Sequence, residues 1–477
     1  MKKTSSSVLL SALAVSSSLL LVAAGSAAAA EPKALPKEIP PFGQDRPLPA
    51  PRILKSTTAE GLTVWLVPRD GFPKVTALLA VRGGTASDPK GLEGTGQILA
   101  DLLKEGTTHR SSRQIAEELQ AIGGSLSADA SDDAITVGAD GLATGTTRIL
   151  EILADVARNA SFPAEEVELA KANTLQQLQV KESTPEFLSE KVLAAAVFGE
   201  HPYRIVAPTP EAVRKVDRDL LKGEFARRFR PDGALLVVVG AFDGASVQRS
   251  VARLFGGWKG EGPLVPDAGP LPAAKAREIL FVSRPGSVQS SLALGRTGPG
   301  LADPAYFPGV LANTIYGGDF ASRLTQNIRE EKGYTYSPRA SFTTFRAGGV
   351  LRTTAEVRNE VTAAALVEIF YELDRMGTTD VTTEELTGAK RLQTGRYLLG
   401  NQVQGSVASA LEGYWVRGLP PELLAEYVGK VNAVTAAEVR EAGRTLFPSR
   451  LQTVVVVGEE SVKKDLAQFG AVRDVKP

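Results

Sequence analysis

Two residues that can hydrogen-bond a carbonyl or an oxyanion lie seven positions apart in the second half of the chain. Arg329 falls near the end of an apolar helical run that begins at about Ala321, and Tyr336 follows in an alternating segment typical of a strand. Gly333, between them, suits the left-handed turn that closes a helix. A guanidinium at a helix end and a phenol on the next strand could bind one oxygen from two sides. From the spacing alone, a surface Arg and a half-buried Tyr are the alternative.

The composition limits the classes of function. A chain of 477 residues exceeds what one hydrophobic core accommodates, so the length predicts two or more domains. Lys plus Arg and Asp plus Glu both number 54, and the basic residues are scattered without an aromatic cluster. This balance argues against binding to nucleic acid or to an acidic membrane surface. Because the chain has no cysteine, neither disulfides nor a lipid attached to cysteine can contribute.

The N-terminus has the pattern of an export signal. Two lysines precede an apolar, serine-rich run at residues 8–24, and small residues lead to Ala30. We therefore expect residues 1–30 to be a signal peptide, with an uncleaved anchor as the alternative. Residues 31–51 contain seven prolines and are expected to form an extended, Pro-rich leader. The protein is thus expected to be periplasmic or secreted, soluble after removal of the signal peptide and without stable membrane insertion.

The predicted elements occur twice in the same order. Each half begins with short amphipathic strands, continues with a group of helices and ends in an apolar strand closed by glycine, residues 234–240 and 453–458. A stretch rich in Gly, Pro and Ala, residues 257–276, is predicted to be the linker. The pattern predicts two homologous α+β domains, residues 52–256 and 277–477, each with a mostly antiparallel sheet covered on one face by helices.

Residues 94–107 of the first half resemble the inverted zinc-peptidase motif of the pitrilysin and mitochondrial processing peptidase family. That motif reads Gly-x-x-His-x-x-Glu-His and is followed, several residues later, by Gly-Thr. In the family the two histidines bind zinc from one face of a helix, and the Glu acts as general base. At the matching positions this chain has Gln97, Ala100 and Asp101. The resemblance therefore comes with a degenerate zinc motif.

The family's third zinc ligand, a Glu on a later helix, falls here on Gln177, or on Gln176 if the register differs by one. Amides and one carboxylate cannot replace two imidazoles and a carboxylate at zinc. The two histidines of the chain, His109 and His201, lie outside the motif and are interpreted as surface or turn residues. The sequence therefore predicts that this chain holds no metal or other cofactor. The alternative is a self-sufficient peptidase whose unusual metal is held by Asp101 and two glutamines.

The second half retains the family's other pattern. A Gly-rich turn, Ser-Arg-Leu, an Arg, a Gly and a Tyr-Ser pair occur in the family's order, at Gly317-Gly318, Ser322-Arg323-Leu324, Arg329, Gly333 and Tyr336-Ser337. The resemblance implies that Arg329 and Tyr336 contact substrate near the scissile bond, with Gly317, Gly318 and Tyr334 as neighbouring substrate-binding positions. Tyr334 departs from the small or aliphatic residue usual in the family, so the two tyrosines could exchange roles.

The resemblance implies the non-metal subunit of a two-chain zinc peptidase that cleaves peptides. In this hypothesis a homologous partner with an intact His-x-x-Glu-His motif brings the zinc, and this chain is inactive alone. Arg329 and Tyr336 then act in trans on the peptide bound at the partner's site. The alternative is a catalytically silent scaffold or assembly subunit, in which both residues are incidental. The intact Arg and Tyr pattern beside an erased metal site favours the first hypothesis.

Overall fold

The computed structural model describes residues 51–260 and 262–476, which belong to one compact unit. The expected signal peptide, residues 1–30, lies outside the described residues, and so does the expected leader apart from its last residue. Between Phe255 and Glu278, where the sequence predicts a linker, the described residues form no helix or strand.

The described strands form two six-stranded sheets, one in each half. The first sheet contains β1 (Leu54–Thr57), β2 (Thr63–Pro68), β3 (Lys74–Arg82), β4 (Ser125–Ala130), β5 (Ala134–Leu142) and β6 (Ala234–Gly240). The second contains β7 (Glu278–Ser283), β8 (Gln289–Gly298), β9 (Arg339–Phe345), β10 (Gly348–Arg358), β11 (Thr453–Gly458) and β12 (Val472–Asp474). Their strand orders are β1-β2-β6-β3-β5-β4 and β12-β7-β11-β8-β10-β9.

The two sheets repeat one arrangement of five strands. The first strand of the repeat pairs in parallel with the last, β2 with β6 and β7 with β11, and the three strands that follow in each order pair antiparallel. The parallel ladders match position by position, because Trp65 faces Val237 in one and Leu280 faces Val455 in the other. The predicted duplication and the mostly antiparallel α+β architecture are confirmed.

The helices follow the same repeat. Those of the first half are α1 (Thr95–Leu102), α2 (Ser112–Gln120), α3 (Thr146–Asn159), α4 (Ala164–Glu182), α5 (Pro185–Phe198), α6 (Pro210–Lys215), α7 (Arg218–Arg228) and α8 (Gly244–Phe255). Those of the second half are α9 (Tyr306–Asn313), α10 (Arg323–Thr325), α11 (Thr362–Thr378), α12 (Thr383–Gly400), α13 (Gln404–Val416), α14 (Leu423–Ala433), α15 (Ala436–Leu446) and α16 (Lys463–Leu466). Within residues 51–260 and 262–476, none of the helices combines the length and hydropathy needed to cross a bilayer.

One face of each sheet packs against helices of its own half. In the first half, Leu79 of β3 and Leu153 of α3 are fully buried in one apolar cluster. In the second half, Leu294 of β8 and Leu366 of α11 occupy the corresponding cluster. Each such side chain contributes roughly 1.5–3 kcal/mol when it is removed from water, so these clusters form the two main cores.

The opposite face of each sheet packs against a helix from the other half. Val237 of β6 lies in a cluster with Leu411 of α13, and Val455 of β11 lies in a cluster with Leu193 of α5. Adjacent residues of a strand point to opposite faces, so Val238 belongs to the first core while Val237 meets α13. This double burial explains why β6 and β11 are continuous apolar runs instead of alternating ones. The two halves are therefore joined because each places one helix, α5 or α13, on the sheet of the other half.

Candidate functional site

A cavity of about 750 Å³ lies between the halves and contains most of the degenerate zinc motif. Gln97 and Asp101, four residues apart on α1, line it from one helix face, and Gln177 of α4 lines it from a second helix. The Gln97 Nε2 amide donates a hydrogen bond to Asp101 Oδ1 at 3.1 Å. Gln176 is exposed and does not line the cavity. Of the two glutamines, Gln177 is therefore the one that shares the cavity with Gln97 and Asp101.

Ala100, at the position of the family's general base, does not line the cavity. Its methyl group is fully buried in the first core, beside Ile98 and Leu99. A side chain without an ionisable group cannot accept a proton from water. The first half therefore lacks a base at this position as well as the two imidazoles.

The groups at the motif do not suit zinc. Gln97 and Gln177 offer neutral amides, and Asp101 is the single carboxylate among the three positions. Burial raises the pKa of Asp101, although the hydrogen bond from Gln97 and the charge of Lys104 oppose this. Among the residues that the structure describes, no group of three or more His, Cys, Asp or Glu side chains is placed to hold a metal ion.

The rest of the cavity combines an apolar wall with a few charges. The apolar wall comes from α5 and from the second sheet, through Leu193, Val197, Phe198, Phe345 and Val350. Lys181, Glu190, Arg352 and Asp132 supply the other charges of the lining. The Arg352 Nη1 group donates to Glu190 Oε1 across the two halves. Burial, together with the neighbouring charge of Asp133, raises the pKa of Asp132 to about 6.

The second-half motif lies on an interrupted helix. Residues Thr314–Gly318 and Gln326–Glu331 form two π-helical segments, and the short α10 lies just before the second. Gly317 is buried, and a Cβ added there would lie 2.8 Å from Ala340 Cβ. At Gly318 an added Cβ would lie 3.0 Å from Asn313 Nδ2. Close packing against the chain itself accounts for both glycines, which sequence analysis interprets as substrate-binding positions.

Arg329 makes cation–π contacts with two exposed aromatic rings. Its guanidinium carbon lies 4.5 Å from the ring centre of Phe320 and 4.6 Å from that of Tyr336. The side chains of Phe320 and Tyr336 remain 60% and 80% exposed. Both distances are within cation–π range, and Arg329 Nε also lies 3.1 Å from Glu330 Oε1.

One expectation for this segment is wrong. The predicted strand from Tyr334 begins instead at Arg339, the first residue of β9, so Tyr334 and Tyr336 lie in irregular chain. Gly333 has φ +62°, as the predicted helix-closing turn requires.

The other motif residues have structural roles. Arg323 is 7% exposed and forms a bidentate ion pair with Glu385, with N–O distances of 2.6 and 2.8 Å. Leu324 is fully buried in the second core, as the apolar face of the predicted helix requires. Tyr334 is half-buried against the same core, whereas Tyr336 is exposed. Of the two tyrosines, Tyr336 is therefore the more exposed.

The structure does not bring the two motifs together. Arg329, Tyr334 and Tyr336 do not line the cavity that contains Gln97, Asp101 and Gln177. The guanidinium and the degenerate zinc motif therefore belong to separate surfaces of the same chain.

Sequence reasoning missed Phe320, whose aromatic ring in an otherwise polar Gly-Gly-Asp-Phe segment was the available signal.

It also missed the role of His109, whose Nδ1 lies 2.7 Å from Asp155 Oδ1. Burial would raise the pKa of Asp155, but hydrogen bonds from His109 and other donors outweigh it and lower that pKa. His201 caps a short turn by accepting a hydrogen bond from the Tyr203 amide at 3.3 Å.

In comparisons with known proteins, the two halves of the chain match descriptions of the same peptidase family. Residues 65–209 match the sequence profile described as Insulinase (Peptidase family M16), and residues 215–393 match the one described as Peptidase M16 inactive domain. An uncharacterized zinc protease of Mycobacterium tuberculosis is 26% identical over 398 residues, which span 82% of this chain and 90% of the relative. The uncharacterized zinc protease YmxG of Bacillus subtilis is 23% identical over 400 residues, 83% of this chain and 96% of the relative.

Two solved structures share the fold. The peptidase M16 inactive domain from Pseudomonas fluorescens superposes with a TM-score of 0.80 at 23% identity, covering 85% of this chain and 98% of that one. A protease from Helicobacter pylori superposes with a TM-score of 0.80 at 17% identity, covering 86% of this chain and 100% of that one. At these identities the likeness concerns the fold, and the residues at the motifs must carry any argument about activity.

Proposed function

The chain belongs to peptidase family M16, and from this premise we propose that it is the non-metal subunit of a two-chain zinc peptidase. In this proposal it contributes Arg329 and Tyr336 in trans to peptide binding and transition-state stabilisation at a partner's site. The observation that carries the proposal is the exposed stack of Arg329 and Tyr336, which lies apart from a first-half motif that does not suit zinc.

The proposed partner is a homologous chain with an intact His-x-x-Glu-His motif, which would supply both the zinc and the general base. The relatives from Mycobacterium and Bacillus are named zinc proteases, which supports a peptidase as the setting of this chain. We place the complex outside the cytoplasm, after removal of residues 1–30. We also retain residues 52–256 and 277–477 as the two domains, with 257–276 as their linker.

The chemistry of this chain's own residues fits the substrate role. Arg329 presents edge N–H donors in a fixed plane, which suits a backbone carbonyl or a developing oxyanion of the peptide. Tyr336 offers a neutral O–H donor on the adjacent surface. A single donor to an oxyanion is typically worth about 3–4 kcal/mol in the transition state. Phe320, whose ring centre lies 4.5 Å from the guanidinium carbon, limits how far the Arg329 side chain can turn.

The test uses this chain reconstituted with a zinc-bearing homologue from the same organism. Arg329→Ala and Tyr336→Phe should each lower kcat/KM for a peptide by roughly a hundredfold, because each removes a donor that acts on the transition state. Assembly, measured by gel filtration, and zinc content, measured by metal analysis, should stay unchanged. If both groups act on the same charge, the double variant should lose less than the sum of the two single losses.

Tyr334→Phe is the matched control, since that side chain packs against the second core. It should leave turnover nearly unchanged. A loss seen with Tyr334→Phe alone would mean that the tyrosine roles are exchanged. Unchanged turnover in both Arg329→Ala and Tyr336→Phe would reject the proposal in favour of a silent scaffold or assembly subunit.

A further inference from the structure

We propose that a cavity between the end of β3 and the linker binds a small oxyanion of the phosphate class. The cavity is lined by arginines of the first half and by residues 264, 265 and 267 of the linker. Its lining includes neither the degenerate zinc motif nor the pair Arg329 and Tyr336. The site is formed by this chain alone and is therefore independent of the proposed in trans role.

Arg82, the last residue of β3, lies where strand alternation predicts an apolar side chain. Alternate residues of a strand share a face, so Arg82 is on the same face as Leu78 and Ala80. Both of these belong to the apolar cluster that α13 of the second half covers. The guanidinium carbon of Arg82 lies 4.7 Å from the ring centre of Trp415 on α13. A positive charge therefore lies half-buried at the end of an apolar contact.

Arg82 lacks the counter-charge that a buried cation normally has. Within the described residues it forms no ion pair with a carboxylate, and its Nε is buried without a hydrogen-bond acceptor. Asp267, the carboxylate of the cavity lining, is held by Arg346 instead, with N–O distances of 2.6 and 2.8 Å. Burial and the charge of Arg346 lower the pKa of Arg82, although Asp267 opposes this. An anion bound beside Arg82 would therefore stabilise the folded chain.

The cavity has the size and the charge of a site for a small anion. Its volume of about 180 Å³ corresponds to about six water molecules, at roughly 30 Å³ each. An oxyanion of five heavy atoms fits this space, whereas a nucleotide or a peptide segment needs a larger site. The charged side chains of the lining are three guanidinium groups and one carboxylate: Arg82, Arg228, Arg230 and Asp267.

Arg228 fixes the chain that follows β3. Its Nη1 donates hydrogen bonds to the carbonyl oxygens of Gly83 and Gly84, both at 2.9 Å. Its other N–H groups pair with the carboxylates of Asp88 and Glu224. Because these bonds use the donors of Arg228, this side chain holds one wall of the cavity in place and leaves binding of the anion to Arg82.

Arg230 fixes the linker on the opposite side. It pairs with Asp232, and its Nη1 donates to the carbonyl oxygens of Gly262 and Pro263, at 2.8 and 3.0 Å. Residues 264 and 265, which follow in the linker, line the cavity. An anion on Arg82 would therefore be enclosed between β3 and the linker. The planar guanidinium offers two parallel N–H donors to two oxygens of a phosphate or sulfate.

The experiment titrates inorganic phosphate into the full chain at constant ionic strength, with chloride as the balancing ion. Isothermal titration calorimetry should show one saturable site with a Kd on the order of 1 mM, as expected for a few charge-assisted hydrogen bonds. Sulfate should compete with phosphate, since it has the same shape. Acetate, which has only two oxygens, should bind about fivefold more weakly. Acetate binding as tightly as phosphate would overturn the assignment to the phosphate class.

Arg82→Gln should abolish saturable binding, because it removes the charge and keeps a polar side chain. Arg277→Gln is the matched control. The Arg277 guanidinium carbon lies 4.6 Å from the ring centre of Phe370, in the same kind of cation–π contact, and Arg277 does not line the cavity. This control should bind phosphate as the unmodified chain does. Equal binding by Arg82→Gln and Arg277→Gln would overturn the proposal.

A second pair of variants tests the site without changing Arg82, in case Arg82→Gln fails to fold. Leu264 lines the cavity and is exposed, so both Leu264→Asp and Leu264→Asn should fold. Leu264→Asp places a negative charge beside the anion and should weaken phosphate binding about tenfold relative to Leu264→Asn, which has nearly the same shape. Equal binding by these two variants, or no saturable binding to the unmodified chain at about ten times the expected Kd, would also overturn the proposal.

Discussion

In the first half, the motif positions Gln97, Asp101 and Gln177 line a cavity, whereas in the second half Arg329 and Tyr336 meet at an exposed surface. On α1, Ile98 and Leu102 point into the core while Gln97 and Asp101 point into the cavity. The residues that hold the helix are therefore different from those that would bind metal. The position of α1 therefore depends on its packing in the core and not on the residues that face the cavity.

Within the second half, structural and reactive residues alternate along one short segment. Arg323 is buried and paired with Glu385, whereas Arg329, six residues later, contacts two exposed aromatic rings. The same residue type thus serves the fold at one position and faces solvent at the other. Substitutions at these positions test whether the two halves differ in this way.

The largest effect is expected from restoring the first-half ligands. The chain itself should bind no stoichiometric zinc. The triple variant Gln97→His, Asp101→His, Gln177→Glu should bind about one zinc per chain, because it places two imidazoles and a carboxylate around the same cavity. Metal analysis after gel filtration measures the zinc content of both.

The matched control carries Gln176→Glu in place of Gln177→Glu, together with the same two histidine substitutions. It should bind zinc more weakly by several orders of magnitude, since Gln176 does not line the cavity. Equal zinc in the two triple variants would show that the register is wrong. Tightly held zinc in the unmodified chain, lost on mutation of Asp101, would contradict the interpretation of the motif as degenerate.

The next largest effect is a difference in stability between variants of Arg323 and Arg329. Arg323→Ala should lower the free energy of unfolding by about 3–5 kcal/mol, because it leaves the Glu385 carboxylate without its bidentate partner. Arg329→Ala should lower it by less than about 1 kcal/mol, since its rings are exposed. Denaturant unfolding of both variants measures the difference. Similar losses would mean that Arg329 also stabilises the fold.

The smallest change in the free energy of unfolding is expected from a substitution at the contact between the halves. Burial raises the pKa of Glu356 to about 7, even though Ser291 donates a hydrogen bond to it. Its pKa in the unfolded chain is about 4.3, so ionisation between pH 4 and 8 should lower the stability of the folded state. Glu356→Gln should therefore raise the free energy of unfolding by about 2 kcal/mol at pH 8 and by little at pH 4.

Denaturant unfolding of the chain and of Glu356→Gln at both pH values checks this dependence. Glu186, on α5, is a charge that opposes ionisation of Glu356, so Glu186→Gln should shift stability in the same direction by a smaller amount. An unchanged stability difference across the pH range would mean that Glu356 is already ionised or solvated in the folded chain.

The repeat of elements was predictable because each apolar run and glycine turn is a local signal. Residues 234–240 and 453–458 show it clearly, and both form buried strands. The burial of Leu324 and the turn at Gly333 were equally local and were predicted. The meeting of Gln97, Asp101 and Gln177 in one cavity follows from the helix spacing and from the family resemblance together.

What the sequence could not show depends on contacts between distant segments. Nothing local to α5 or α13 indicates that each packs on the sheet of the other half. The alternation from Tyr334 is typical of a strand, but pairing with β10 begins only at Arg339. Likewise, stacking of Phe320 on Arg329 requires the interrupted helix between them, whose π-helical turns have no clear sequence pattern.

The exchange of α5 and α13 also sets a timing problem for synthesis. The strand β6 ends at Gly240, but α13, which covers its second face, is not complete until Val416. At roughly 5–20 residues per second, a ribosome needs about 10–35 s to make the intervening chain. During that interval the valines of β6 that later meet α13 have no cover from the nascent chain. The first half therefore exposes an apolar sheet face, which favours association with other chains, until the second half is present.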